Sequence, residues 1–140
     1  MSPLLKRARD TLKIEIAGLD GLIARLGPEF EEAVNLLFAC QGKVILAGMG
    51  KSGLIAQKIA ATLTSTGTPS LFLHAGESSH GDLGIITRQD VVIAFSYSGE
   101  TSEVVQMIGH IHAIGVPLIA MTGQPDSTLA QAATVHLSVA

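Results

Sequence analysis

Tryptophan is absent from this 140-residue chain, cysteine occurs once, aromatic residues make up 4% and charged residues only 15%. Each shortage excludes something. The single Cys40 rules out an intramolecular disulfide and, at helical spacing after Leu36 and Leu37, is expected to be a buried, inert thiol. Glycines, polar residues and charges break every apolar run well short of the roughly 20 residues that a membrane helix needs. No basic block exists and the net charge is -3, which argues against a nucleic-acid partner. The N-terminal MSPLLKRARDTLKIE turns charged too soon for a secretory leader, so a cytoplasmic, reducing setting is expected. Beside these shortages stand 47% hydrophobic residues and a mean hydropathy of +0.44. That surplus implies buried strands and an oligomer interface, in one domain long enough to bury roughly two-thirds of its unfolded surface.

Along the chain, Leu5, Ala8, Leu12, Ile16, Leu19 and Ile23 are spaced 3, 4, 4, 3 and 4 apart, which predicts a long amphipathic helix over residues 3–26. It is either a lid on its own domain or a helix that packs against a second subunit. Pro28 opens a second helix carrying Phe30, Ala33, Val34, Leu37 and Phe38, and Gly42 closes it. Strands are then expected at 44–47, 70–74, 90–95, 116–121 and 134–139. Helices over about 52–66, 100–114 and 125–133 separate them, the second with Val104, Val105, Ile108, Ile111 and Ile114 inward. This alternation predicts an α/β fold: a doubly wound, five-stranded parallel sheet flanked by helices and preceded by two N-terminal helices.

Three polar, glycine-bearing loops, 48–53, 75–84 and 96–103, each follow a strand, so all fall on the edge where such sheets bind ligands. The first, GMGKSG, formally matches the G-x-G-x-x-G of dinucleotide sites through Gly48, Gly50 and Gly53. The acid expected about 20 residues on is missing, because the second strand ends in His74 and the next acid is Glu77. A phosphate loop of the Walker type fails too, since Ile45 stands where its first glycine belongs. Tight helix–strand packing accounts for Gly53 but leaves Lys51 unexplained. Backbone N–H groups at a helix start beside a lysine suit a phosphate.

The third loop, SYSGETSE, sets the hydroxyls of Ser96, Ser98 and Thr101 around Gly99 at a helix start, where they are either phosphate donors or an N-cap with turn formers. Glu100 and Glu103 are expected to share a face of that helix's first turns, with Glu103 suited to proton transfer and Lys51 as its compensating charge. The middle loop offers His74, Glu77, His80 and Asp82 for acid–base work or for a divalent metal. Packing or solvated roles are expected for His110, His112 and His136.

With these loops in view, the chain resembles the sugar isomerase (SIS) domain, and more narrowly the D-arabinose-5-phosphate isomerase family. The matching stretches are GMGKSG (48–53), KIAATLTSTGTPSLFLHAGESSHGDLG (58–84), SYSGET (96–101) and VPLIAMTG (116–123). The resemblance implies a flavodoxin-like sheet, a homo-oligomer, often a tetramer, and interconversion of D-ribulose 5-phosphate and D-arabinose 5-phosphate for Kdo of lipopolysaccharide or capsule. Lys51, His80 and Glu103 fall on positions that the family uses in catalysis. His74 falls on one associated with zinc, although no cofactor is required for the chemistry. The expected assignment gives proton transfer to Glu103 and His80 and the enediolate or phosphate to Lys51. Substrate binding falls to Gly48, Gly50, Ser52, Ser96, Ser98, Gly99 and Thr101. The family's domain continues past its fifth strand into further helices and often into CBS domains. Residues 1–140 are therefore expected to be a C-terminally incomplete SIS domain without CBS domains, weakly active or inactive alone. Two other functions stay open: a sugar-phosphate sensor without catalysis, and an isomerase acting on a hexulose phosphate.

Overall fold

The computed structural model describes all of residues 1–140. Two helices, α1 (Pro3–Arg25) and α2 (Pro28–Phe38), lead into β1 (Val44–Gly48), α3 (Gly50–Ser65) and β2 (Ser70–His74). Two short 3-10 helices, Ala75–His80 and Asp82–Ile85, follow. The chain then runs through β3 (Val91–Phe95), α4 (Ser102–Ile114), β4 (Leu118–Thr122), α5 (Thr128–Ala132) and β5 (Val135–Ser138). All pairings are parallel, as the alternation predicts, and the strand order is β2-β1-β3-β4-β5. The order reverses between β1 and β3, so the loops after those two strands flank the switch point where such sheets open a crevice.

The inner strands β1 and β3 are apolar throughout and buried at every position because both their faces are covered, whereas the edge strands β2 and β5 carry polar residues and are mostly half-buried. Alternating side chains of the sheet divide between two cores. Ile45, Ala47, Val92, Ala94, Leu118 and Ala120 meet Val104, Met107 and Ile111 of α4 and Leu129 of α5. On the opposite face, Val44, Leu46, Val91, Ile93, Phe95 and Ile119 meet Ala56 and Ala60 of α3 and Ala33 of α2. Each fully buried Val, Leu or Ile stabilises the fold by about 1.5–3 kcal/mol. The inward face of α4 differs from the expected one: Met107 is buried, whereas Val105, Ile108 and Ile114 are half-buried at its margins.

Opposite the crevice, Lys43 and Asp90 pin the starts of β1 and β3 together. Asp90 is only 2% exposed and accepts from the Lys43 N–H at 2.9 Å, Lys43 Nζ at 2.8 Å and the Thr87 N–H at 2.7 Å. Burial pushes its carboxyl up, but these donors together with the Lys43 charge outweigh it and hold the carboxyl below its ordinary value. Cys40 is half-buried rather than buried, because it lies in the turn beyond α2, where its thiol faces the carbonyls of Lys43 and Gln89 at 3.6 and 3.5 Å.

α1 is capped by the Ser2 hydroxyl, which accepts from the Leu5 N–H at 3.2 Å. It buries none of its residues. The stripe Leu5, Leu12, Ile16, Leu19 and Ile23 stays 56–68% exposed, so α1 is not a lid on its own domain. No helix of the chain is long and apolar enough to cross a membrane.

Candidate active site

At the switch point the chain leaves two helix starts bare. The first helical bond of α3 runs from the Gly53 N–H to the Met49 carbonyl, and no side chain caps the N–H groups of Gly50, Lys51 and Ser52. In α4 the first bond runs from the Val105 N–H to the Thr101 carbonyl, which leaves the N–H groups of Thr101, Ser102, Glu103 and Val104 without an acceptor in the chain. By contrast, Ser2 caps α1 and Ser127 caps α5. Two bare helix ends beside adjacent strands form a donor-rich, electropositive frame for an anion.

The glycines make the close approach possible. Gly48 and Gly53 face each other so tightly that a Cβ on Gly48 would lie 3.1 Å from the Gly53 nitrogen. Gly50, at φ +55°, takes the left-handed turn into α3. Lys51 is exposed and lines a cleft of about 420 Å³ with Gly50, Gly53, Leu54, Gln57, Phe72 and His74. The structure thus brings Lys51 and His74 to one cleft. A larger groove of about 630 Å³ runs between the α1–α2 link and β5, but it is mainly apolar and lacks this donor frame.

The loop after β3 is shaped from within and braced from outside. Ser96 is 3% exposed, and its hydroxyl accepts from the Gly99 N–H at 3.0 Å and pairs with the Thr101 hydroxyl at 2.7 Å. Ser96 therefore shapes the turn, and its hydroxyl shares a hydrogen bond with that of Thr101 in the same loop. Ser98 is exposed and accepts from the Glu100 N–H at 3.1 Å, so it is a turn former and not the N-cap, which is Thr101. Glu103 sits in the first turn of α4 and accepts from the Ser102 hydroxyl at 3.0 Å. Glu100 lies before the helix and turns away from Glu103. Its carboxylate accepts from the Thr128 N–H at 2.7 Å and the Thr128 hydroxyl at 2.8 Å, and those two bonds hold its pKa below the ordinary 4.5.

The SIS domain family profile matches residues 37–140. This chain belongs to the SIS domain family. The arabinose 5-phosphate isomerase KdsD of Pseudomonas aeruginosa PAO1 is 52% identical over 130 residues, which is 93% of this chain and 40% of that protein. Its counterpart in Escherichia coli K12 is 51% identical over 131 residues, again 40% of its length. This SIS domain thus spans about 40% of the length of the curated relatives that it matches. Among solved structures, an E. coli CFT073 protein in complex with arabinose 5-phosphate superposes with a TM-score of 0.92 at 38% identity, covering 99% of this chain and 75% of that one.

Within the SIS domain the middle loop folds as two 3-10 helices rather than as irregular chain. The first is capped by His74, whose Nδ1 accepts from the Gly76 N–H at 3.1 Å while its ring meets Phe72 edge-on. That bond leaves Nε2 as the nitrogen able to face the cleft. No group of three or more His, Cys, Asp or Glu side chains that could hold a metal ion stands together in this chain. The same 3-10 helix ends in His80, which is exposed, and packs against α4, the helix that begins beside Glu103. His112 and His136 take packing roles, bonded to the Ala132 carbonyl and the Thr122 hydroxyl at 2.9 Å each, and His110 buries its Nε2 without a partner.

Sequence reading missed the brace formed by the segment after β4. The Gly123 N–H donates to the Tyr97 carbonyl at 2.9 Å, the Leu129 N–H to the Gly99 carbonyl at 3.1 Å, and Thr128 to Glu100 as above. Gly99, at φ +67°, lies against Ser127 so closely that a Cβ there would coincide with the serine side chain. The TG of VPLIAMTG, followed by a serine at a helix start, was the available signal.

Proposed function

We propose that this SIS domain interconverts D-ribulose 5-phosphate and D-arabinose 5-phosphate through an enediolate. The observation that carries the reading is the pair of uncapped helix starts that follow the adjacent strands β1 and β3 at the switch point, with Lys51 in the first turn of α3. Sequence identity near one half with named arabinose 5-phosphate isomerases, and the backbone match to a protein in complex with arabinose 5-phosphate, support this sugar over a hexulose phosphate.

In this reading the phosphate rests on the free N–H groups at the start of α4, with the Ser98 and Thr101 hydroxyls beside it. The backbone at Gly48, Gly50 and Gly99 allows the close approach, and Ser52 adds a hydroxyl at the start of α3. The reaction moves one proton between C1 and C2, and one between the oxygens on those carbons. Glu103 and His80 carry these transfers, and the Lys51 ammonium offsets the negative charge that builds on the enediolate oxygens. No step is routed through a metal. The reading also includes a role in supplying Kdo, a cytoplasmic setting and work as a homo-oligomer.

The test follows solvent deuterium into C1 and C2 when the full-length protein that carries this SIS domain is incubated with D-ribulose 5-phosphate. Exchange with conversion is expected, and Lys51→Ala should lose about 10²–10³-fold in turnover with thermal unfolding unchanged. A fully active Lys51→Ala protein would sink the role of Lys51. Binding without exchange would make the domain a sugar-phosphate sensor.

A further inference from the structure

Thr122, the last residue of β4, is fully buried, and its hydroxyl stands at a crossing of three hydrogen bonds. It donates to the Gln124 carbonyl at 2.9 Å, accepts from the Gln124 N–H at 3.0 Å and meets Nε2 of His136, on β5, at 2.9 Å. A hydroxyl has one hydrogen and two lone pairs. With the hydrogen directed at the Gln124 carbonyl, which only accepts, and one lone pair taken by the Gln124 N–H, the bond to His136 closes only if Nε2 is the donor. All three bonds together therefore require a hydrogen on Nε2.

Those bonds fix one rotamer of Thr122, in which the methyl group turns toward the loop after β3: a Cβ on Gly99 would lie 3.5 Å from Thr122 Cγ2. The same bonds shape the turn that carries the brace. Within it the Gly123 N–H donates to the Tyr97 carbonyl at 2.9 Å, and the Gln124 carbonyl accepts from the Ser127 N–H at 3.2 Å. Ser127 then presses on Gly99, and Thr128 donates to Glu100 through both its N–H and its hydroxyl. Residues 122–128 thus reach Tyr97, Gly99 and Glu100, and His136 holds their buried root from the neighbouring strand.

We propose that His136, with its hydrogen on Nε2, is a positioning residue for the loop that holds the phosphate: it locks Thr122, and through Thr122 the segment that sets Tyr97, Gly99 and Glu100 in place. This role rests on the sugar-phosphate reading above. The bonded partner of His136 is Thr122 and none of the proposed proton carriers, so its effect falls on binding and not on proton transfer.

The full-length protein that carries this SIS domain tests it, with turnover of D-ribulose 5-phosphate and calorimetric binding of D-arabinose 5-phosphate as readouts. His136→Leu should raise both KM and the dissociation constant by about threefold to tenfold, the loss of one hydrogen bond, with kcat little changed. His136→Gln, which keeps a side-chain N–H donor, should recover most of that loss. Thr122→Val should lose at least as much, and adding His136→Leu to it should cost nothing further, since both break one linkage. Nitrogen NMR of the labelled imidazole, at a pH above the ordinary imidazole range, should show the His136 hydrogen on Nε2. A hydrogen on Nδ1, unchanged binding in His136→Leu, no recovery in His136→Gln, or additive losses in the double variant overturns the positioning role. A parent that binds the sugar phosphate without converting it overturns the isomerase reading alone, because the binding readout still judges His136. A parent that binds no sugar phosphate overturns both.

Discussion

Gly99→Ala probes the brace that holds the loop after β3. Gly99 has φ +67°, where an alanine costs about 1–2 kcal/mol, and the new methyl would occupy the space of the Ser127 side chain, an overpacking that costs about 1–3 kcal/mol more. The single substitution should therefore destabilise the protein by about 2–5 kcal/mol. Ser127→Gly clears that space and loses only the cap bond from the Ala130 N–H, worth a few tenths of a kcal/mol when glycine replaces serine, or roughly 0.3. In the double variant the overpacking vanishes while the backbone cost stays, leaving about 1–2 kcal/mol. Urea unfolding of the four proteins then yields a coupling of about 1–3 kcal/mol in favour of the double variant. Additivity within about 0.5 kcal/mol would refute the contact.

Two pH-linked features supply the remaining predictions. Asp90→Ala leaves the Lys43 and Thr87 donors unpaired and should cost about 2–3 kcal/mol, below the range for a fully buried pair because the Lys43 side chain keeps 29% of its exposure. Since the Asp90 carboxyl is held below its ordinary 3.8, its contribution is complete above that pH and fades as pH falls through the lower folded value. Urea midpoints between about pH 5 and pH 2 should drop more steeply for the parent than for Asp90→Ala. Glu100 is likewise held below 4.5 by Thr128, so its bonds to α5 hold above that pH and loosen as pH falls through its folded value. Glu100→Ala should raise the KM for the sugar phosphate by about threefold to tenfold with kcat little changed, since it touches no proposed proton carrier; an unchanged KM would refute the brace.

The sheet was legible because its inner strands β1 and β3 are continuous apolar runs, and β2 has the bounds that its flanking residues predict. GMGKSG and SYSGET mark the two loops after β1 and β3, and the structure sets both at helix starts without side-chain caps. What stayed hidden depends on which elements become neighbours. Nothing local to Glu100 points to Thr128, because their meeting requires β4 beside β3 and α5 beside α4. Ser96 reads as one more loop hydroxyl until the turn closes over it, and Asp90, expected to open the third strand, shows no pairing with Lys43 until β1 lies beside β3. The α1 stripe was visible as a pattern, but its direction in space was not, since period alone does not say which body a face turns toward.

The brace also sets an order of assembly during synthesis. Every proposed catalytic group lies within the first 103 residues, yet the loop that precedes Glu103 is tied to Ser127 and Thr128, which leave the ribosome 24 and 25 residues later. A nascent chain that has just exposed Glu103 holds the right residues without the frame that aligns them. On the proposed function, the competence to hold a sugar phosphate arrives with α5, because a growing chain that ends before Thr128 lacks the acceptor–donor pair that fixes the loop.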